Sequence, residues 1–291
     1  MGCGESYEIT DGVLTFLSDK TIAESFGIQW NTFPKVQLDS YSGDSRSLER
    51  FANETGWDKK RLKGSLVLDA GCGAGRFSEI ALAMDSNLVM VDASDAIFAA
   101  KSNLVLNSDS FLVKASLLNL PFQSDVFDFV YCIGVLQHTS NPYDCIEELA
   151  RVTKRGGEIA LTFYERSGWW TLLNAKYLIR PITKRLNEKF LLNIITISSR
   201  LWFPLTNILF RLPHKLGKFF QFTIPVANYV QYQYANDELR RVEAIQDTFD
   251  MLSPEFDKPL RKIDVVSRLQ ALGFEIVDSS VKGNVKAKKS Y

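Results

Sequence analysis

Between Leu66 and Ala83 the chain reads LVLDAGCGAGRFSEIALA. An aliphatic run ends on Asp69, glycines follow at 71, 73 and 75, and a helical pattern takes over. Glycines at a strand-to-helix turn let a ligand lie against bare backbone, with the amides of the next helix facing it. The following aliphatic run, LVMVDAS, ends on Asp92. A carboxylate at that strand end can accept both hydroxyls of a ribose. A dinucleotide wants Gly or Ala three positions after the second glycine, where helix packs on strand beside a pyrophosphate. Here that position is Arg76, bulky and charged. The spacing therefore favours a nucleoside ligand without a pyrophosphate, and Asp69 suits one with a cationic amino group. The bland alternatives are a tight turn that binds nothing and an Asp92 that serves only a helix dipole.

Such a turn needs a sheet behind it. Short apolar runs recur at 65–70, 87–93, 111–115, 127–134 and 157–164. Segments with helical spacing separate them. Ser94 can cap a helix carrying Ile97, Ala100, Leu104 and Val105; Asn141 caps another that starts with Pro142 and ends at Gly156-Gly157. Runs that are continuously apolar imply burial on both faces, hence parallel strands. Near the end, GFEIVDSS and NVKAKKS flank a turn at Lys282-Gly283-Asn284, which predicts an antiparallel edge hairpin. The predicted fold is α/β, Rossmann-like and doubly wound. Its sheet is mostly parallel and seven-stranded, with an antiparallel edge hairpin and a helical insertion. The expected division is 1–62, a stub and helical lid; 63–165, the α/β core; 166–246, the insertion; and 247–291, completion of the core sheet.

The stretch ASLLNLPFQSDVFDFVYCIGVLQH, 115–138, makes the resemblance specific. With RVTKRGGEIAL it follows the later motifs of a large class I methyltransferase family in order and spacing. That family, methyltransferase type 11, includes the ubiquinone and menaquinone biosynthesis methyltransferases. The flanks FGIQWNTFPKVQLDS (26–40) and DTFDMLSPEFDKP (247–259) resemble a narrower bacterial group of class I methyltransferases. The resemblance implies S-adenosylmethionine as cofactor. Asp69, Gly71, Cys72 and Gly73 would line its methionine end. Asp92 and Ala93 would hold the ribose and one adenine face, and Ser116 and Leu117 the adenine edge. Ile133 and Gly134 would contact the methionine part. Ser116 stands where the family usually has Asp, so the adenine amino group would meet a neutral acceptor, roughly half as strong as a charged one. The segment GESYEITDGVLTFL resembles the tail of zinc-knuckle domains that precede some methyltransferases. The upstream cysteines are missing, so no metal is expected.

Methyl transfer requires the nucleophile and the methyl held in line, with water excluded. A base helps when the acceptor is a hydroxyl or an acidic carbon. His138, just after the fourth core strand, is the candidate base, against a purely structural role in the loop before Pro142. Tyr164 is a weaker candidate. Trp30, Phe33 and Gln37 are expected to fold over the cofactor as a lid or to serve packing alone. The 247–259 stretch reads as an ordered loop closing the acceptor pocket.

Residues 169–235 carry Lys176, Arg180, Lys184, Arg185, Lys189, Arg200, Arg211, Lys215 and Lys218 against one acid, Glu188. The chain as a whole is balanced, 34 basic to 34 acidic. The insertion is also dense in aromatic and aliphatic residues. Helical spacing puts Leu191, Ile194, Ile195, Leu201, Trp202, Leu205, Ile208 and Leu209 on one face. Asn193, Thr196, Ser199, Arg200 and Asn207 lie mainly on the other, and Pro204 is expected to kink or break the helix. The expected role is a cap over an apolar or lipid-linked acceptor, with contact to an anionic membrane surface as the extension of that reading.

Four cysteines without CxxC spacing argue against a zinc site or a disulfide framework. With no basic start followed by an apolar run, a cytoplasmic location is expected, peripheral at the inner face of the membrane if the insertion touches lipid. MGCGES matches an acylation pattern, with a plain stub as the alternative. Nucleic acid is not an expected partner: the chain lacks an Asn/Asp-Pro-Pro-Tyr/Phe signature and its basic stretch is threaded with apolar residues. Two rivals remain, a nicotinamide-dependent reductase and a non-catalytic, membrane-associated scaffold that binds the cofactor.

Overall fold

The computed structural model describes residues 8–16, 24–213, 215–232, 234 and 236–290, and the side chains of 24–26 lie outside that description. The MGCGES acylation pattern lies outside the described residues. A single nine-stranded sheet organises the chain. Its parallel centre consists of β3 (Leu66–Ala70), β4 (Asn87–Asp92), β5 (Phe111–Lys114), β6 (Phe127–Ile133) and β7 (Thr153–Thr162). The order across the centre is β5-β4-β3-β6-β7. β8 (Phe274–Asp278) and β9 (Asn284–Lys289) pair antiparallel, and β9 runs antiparallel to β7, which completes the seven expected strands.

Two further strands correct the expected count. β1 (Glu8–Thr10) and β2 (Val13–Thr15) form a hairpin, and β2 joins β5 in parallel. Asp11 and Gly12 both have positive φ, 48° and 72°. That is the backbone of a two-residue turn whose twist suits a hairpin.

Alternate strand residues feed two cores. Leu68, Val89, Val91 and Val130 point to one face, where they meet α7 (Pro142–Val152) and α12 (Lys262–Ala271) through Ile146, Leu149, Val265 and Leu269. Val67, Leu88, Met90 and Tyr131 point to the other. There they meet α3 (Arg46–Thr55), α4 (Lys59–Leu62), α5 (Arg76–Ala83) and α6 (Ala96–Asn103). α6 is shorter than the spacing predicts: Leu104 is its C-cap and Val105 is exposed. α7 also stops early, at Val152, and Gly156-Gly157 lie inside β7. A Cβ on Gly157 would come 2.9 Å from the Asp128 carbonyl, so the pairing irregularity at Phe127/Phe129 requires a bare residue there.

The insertion folds as α8 (Ala175–Thr183), α9 (Glu188–Leu209) and α10 (Lys215–Thr223), followed by α11 (Asp237–Leu252). α11 crosses residue 246, and it makes 247–252 helical where a loop is expected. α9 runs unbroken through Pro204. Its inward face also departs from the expected one. Ser199 and Thr206 are buried beside Leu191, Ile195 and Phe203, while Ile194, Leu201, Leu205 and Ile208 are exposed. The buried hydroxyls are satisfied by their own helix: Ser199 Oγ donates to the Thr196 carbonyl at 2.7 Å, Thr206 Oγ1 to that of Trp202 at 2.7 Å. A Ser or Thr bonded this way carries no desolvation penalty. Leu191, Ile195, Ile245, Phe249 and Leu252 form a third, small core between α9 and α11. Phe33 packs against it after α1 (Glu24–Thr32). Among the described residues, no helix is long and apolar enough to cross a membrane.

Candidate active site

A cavity of about 780 Å³ opens at the carboxyl ends of β3, β4 and β6. One half is lined by Gly71, Cys72, Gly73, Asp92, Ala93, Ser116 and Leu117. Ile133 and Gly134 lie at the middle, and His138, Tyr164, Tyr229, Asp247 and Asp250 line the other half. All the expected cofactor residues are therefore on its wall except Asp69.

Asp69 sits behind the glycines, 3% exposed, and accepts from Ser78 Oγ at 2.6 Å. Burial pushes its carboxyl up to about 7. It braces the turn from within rather than facing a ligand. The turn itself is tight. Gly71 has φ +87°, and a Cβ there would fall 2.5 Å from Val135 Cγ2. A Cβ on Gly73 would meet the Trp30 indole at 3.3 Å, so α1 closes over the glycine backbone. Trp30 and Gln37 line the cavity; Phe33 packs against the third core instead.

Asp92 is held in place before any ligand arrives. Gly73 N–H donates to Oδ2 at 2.9 Å; Ser94 donates to Oδ1 from its N–H at 2.8 Å and from Oγ at 2.6 Å. Each carboxylate oxygen accepts about two hydrogen bonds. Oδ1 is thus saturated and Oδ2 keeps one acceptor position open. Burial pushes the carboxyl up, against the lowering effect of the Ser94 and Gly73 donors. Ser116 Oγ accepts from Leu118 N–H at 3.2 Å, a local turn at the cavity wall. Cys72 is no nucleophile, since burial raises its thiol well above the ordinary value.

At the other half, His138 ends a short 3-10 turn over Leu136–His138. Its Nδ1 lies 3.1 Å from the Phe256 carbonyl, and Nε2 is 3.9 Å from Asp250 Oδ2. The carbonyl contact places the neutral ring's proton on Nδ1 and leaves Nε2 the basic nitrogen. Tyr164 stands edge-on to the ring at 5.7 Å. Burial raises its phenol well above the ordinary value, helped by Asp250, Asp257 and Asp247. That disfavours Tyr164 as a base. Burial, then Glu243, push Asp247 up to about 7; it accepts from Gln37 Nε2 at 2.9 Å and from Tyr229 Oη.

Several wall residues escaped the sequence reading. Arg50 and Arg76 reach the cavity from α3 and α5. Arg50 Nη2 lies 3.8 Å from where a Gly134 Cβ would be, and its Nε donates to Glu54 at 2.8 Å. Arg76 is tied to Ser47 and Gln37 at 3.0 Å each. Tyr229 comes from the segment before α11. No spacing signal links these positions, because only the tertiary fold brings them together. The chemistry of this wall fits S-adenosylmethionine: Asp92 would accept from a ribose, the glycines leave bare backbone, and Arg50 and Arg76 would face a carboxylate.

The family described as a methyltransferase domain matches residues 68–161. The ubiquinone biosynthesis O-methyltransferase of Dechloromonas aromatica is 32% identical over 129 residues, 42% of this chain and 56% of that protein. The tRNA U34 carboxymethyltransferase of Hydrogenovibrio crunogenus is 36% identical over 118 residues, 36% of this chain and 35% of that one. The chain thus spans about half, or less, of the length of these relatives. Among solved structures, magnesium protoporphyrin IX methyltransferase from Synechocystis PCC 6803, with bound SAH, aligns over 94% of this chain and 100% of its own, at 15% identity and a TM-score of 0.49. The segment that builds the glycine turn, the Asp92 strand end and the central sheet, residues 68–161, is the part of the chain that is similar to the methyltransferase-domain family.

Proposed function

We propose that this chain is an S-adenosylmethionine-dependent methyltransferase acting on a small-molecule or lipid-linked acceptor. One observation carries the reading: a nucleoside-shaped wall and a base-bearing wall share one cavity and meet at Gly134. When bound, the cofactor supplies a methyl group on a sulfonium, already a good leaving group. The chain has to hold the two reactants in line and keep water out. Asp92 Oδ2 anchors the ribose, and Arg50, with Arg76 behind it, faces the carboxylate of the methionine part. Trp30 and Gln37 cover the cofactor.

His138 takes the acceptor's proton at Nε2, and Asp250 then faces the imidazolium. Oxygen and acidic-carbon acceptors both suit this arrangement. In the proposed division of labour, 63–165 holds the cofactor, while 166–246 and the 247–259 stretch cap the acceptor. The nicotinamide and scaffold alternatives are disfavoured by the same wall: Arg76 replaces the small residue a dinucleotide needs, and His138 lines the same cavity as the glycine turn.

Two measurements test the reading. Calorimetric titration should show S-adenosylmethionine binding and no NADH binding. Methyl-labelled cofactor, incubated with lipid, aqueous and tRNA fractions of a cell extract, should label the lipid or small-molecule fraction. Cofactor binding with no label in any fraction would favour the scaffold, and label in tRNA would replace the acceptor class.

A further inference from the structure

The insertion presents a second apolar face that nothing in the fold covers. On α9 the exposed residues Phe190, Ile194, Ile197, Leu201, Leu205 and Ile208 follow one another at three- and four-residue steps. At 100° per residue they fall within an arc of roughly 80° on a helix about 33 Å long. Leu191, Ile195, Phe203 and their buried hydroxyl neighbours occupy the opposite side. Further exposed hydrophobic residues flank this stripe in the chain: Trp169, Trp170, Leu172 and Leu173 ahead of α8, Leu178 and Ile182 on α8, and Leu216 and Phe219 on α10. Of the 24 large hydrophobic residues exposed among the described residues, 14 lie between Trp169 and Phe219. A concentration of that kind marks a surface that binds something.

Charge selects the occupant. Lys189, Arg200, Lys215 and Lys218 on α9 and α10, and Lys184, Arg185 and Arg211 in the connections next to α8 and α9, are all exposed, and the one acid, Glu188, is half-buried. A two-fold interface between copies of this chain would set seven cations against seven. An anionic lipid surface accepts both the apolar stripe and the basic rim. The patch also adjoins the cavity, because Lys184 and Glu188, at the α8–α9 corner, belong to the cavity wall. We propose that the outward face of α8, α9 and α10 docks on an anionic membrane surface, with α9 lying in the plane of the headgroups. It rests on the insertion alone, and holds or fails independently of the transferase reading.

The test is co-sedimentation of the full chain with vesicles, without cofactor. Equimolar phosphatidylglycerol and phosphatidylcholine vesicles should pull the chain down at low salt, and phosphatidylcholine vesicles should hold it about tenfold less well. The double variant Ile197→Asp/Leu201→Asp should lose about tenfold or more in partitioning, and so should Lys189→Glu/Arg200→Glu. Both pairs are exposed, so melting temperature and cofactor binding should stay unchanged, which separates lost docking from lost fold. Equal pelleting by both vesicle types, or wild-type partitioning of both variants, would overturn the proposal. So would an unbound chain that is dimeric by light scattering and becomes monomeric in Ile197→Asp/Leu201→Asp, since a second copy would then be the occupant.

Discussion

Gly73 N–H and the Asp92 carboxylate are hydrogen-bonded directly, at 2.9 Å. The glycine turn after β3 and the end of β4 are therefore one unit. The amide that shapes the turn also aims the Asp92 carboxylate, the proposed ribose acceptor, and Ser94 saturates its second oxygen. Asp92→Ala removes the acceptor and leaves Gly73 and Ser94 donors unpaired. A hydrogen bond to a charged group is worth about 1.5–3 kcal/mol, so cofactor affinity should fall roughly 10- to 100-fold in calorimetry. Binding as tight as the parent's would remove Asp92 from the site.

Gly71→Ala should unfold more easily. Its φ of +87° strains any side chain, and the new methyl would overlap Val135. A cost of about 1–3 kcal/mol is expected in urea unfolding. Val135→Ala in the same chain should recover the overlap part and leave the backbone part.

Asp69 sets a pH dependence. Its folded value, about 7, lies above the ordinary 3.8. The folded state thus keeps a proton that the unfolded chain releases, and stability falls as pH rises from about 4 to about 7. The drop is bounded by roughly 4 kcal/mol, at 1.36 kcal/mol per unit. Asp69→Asn should flatten the profile, as read by urea midpoints across that range. An unchanged slope would assign the dependence elsewhere.

His138→Gln should lower kcat by about 100- to 10,000-fold, the usual worth of a general base, while cofactor affinity stays at the parent value. A matching fall in affinity would point to a structural role for the ring.

Ser116→Asp should tighten cofactor binding. It would place a charged acceptor at the adenine edge where a hydroxyl now accepts from Leu118. A gain of about 1 kcal/mol, roughly fivefold, is expected.

The core was readable because its strands are buried on both faces. β3, β4 and β6 are mostly apolar, and glycines at 71 and 134 follow the ends of β3 and β6. The N-terminal hairpin was missed: Asp11-Gly12 is a strong turn signal, but the strands on either side are three residues long, too short for an alternation to register. α9 misled because its polarity does not track burial. Ser199 and Thr206 satisfy themselves on their own helix and go inside, and an apolar stripe is left outside. His138 and the 247–259 stretch were legible as neighbours of the pocket, but the carboxylates within that stretch were not. Asp247, Asp250 and His138 are brought together by α11 packing over the sheet ends, and a buried carboxylate looks like any surface Asp until its neighbours are known.

The short N-terminal hairpin has a consequence for handling the protein. β2 lies along β5 through Leu14↔Val113 and Thr15↔Lys114. It occupies the amide and carbonyl row that β5 would otherwise present at the margin of the sheet. A version trimmed to begin after residue 16 would bare that row beside Leu112 and Val113, an invitation to intermolecular strand addition. Such a shortened form should precipitate on concentration even with its cavity intact.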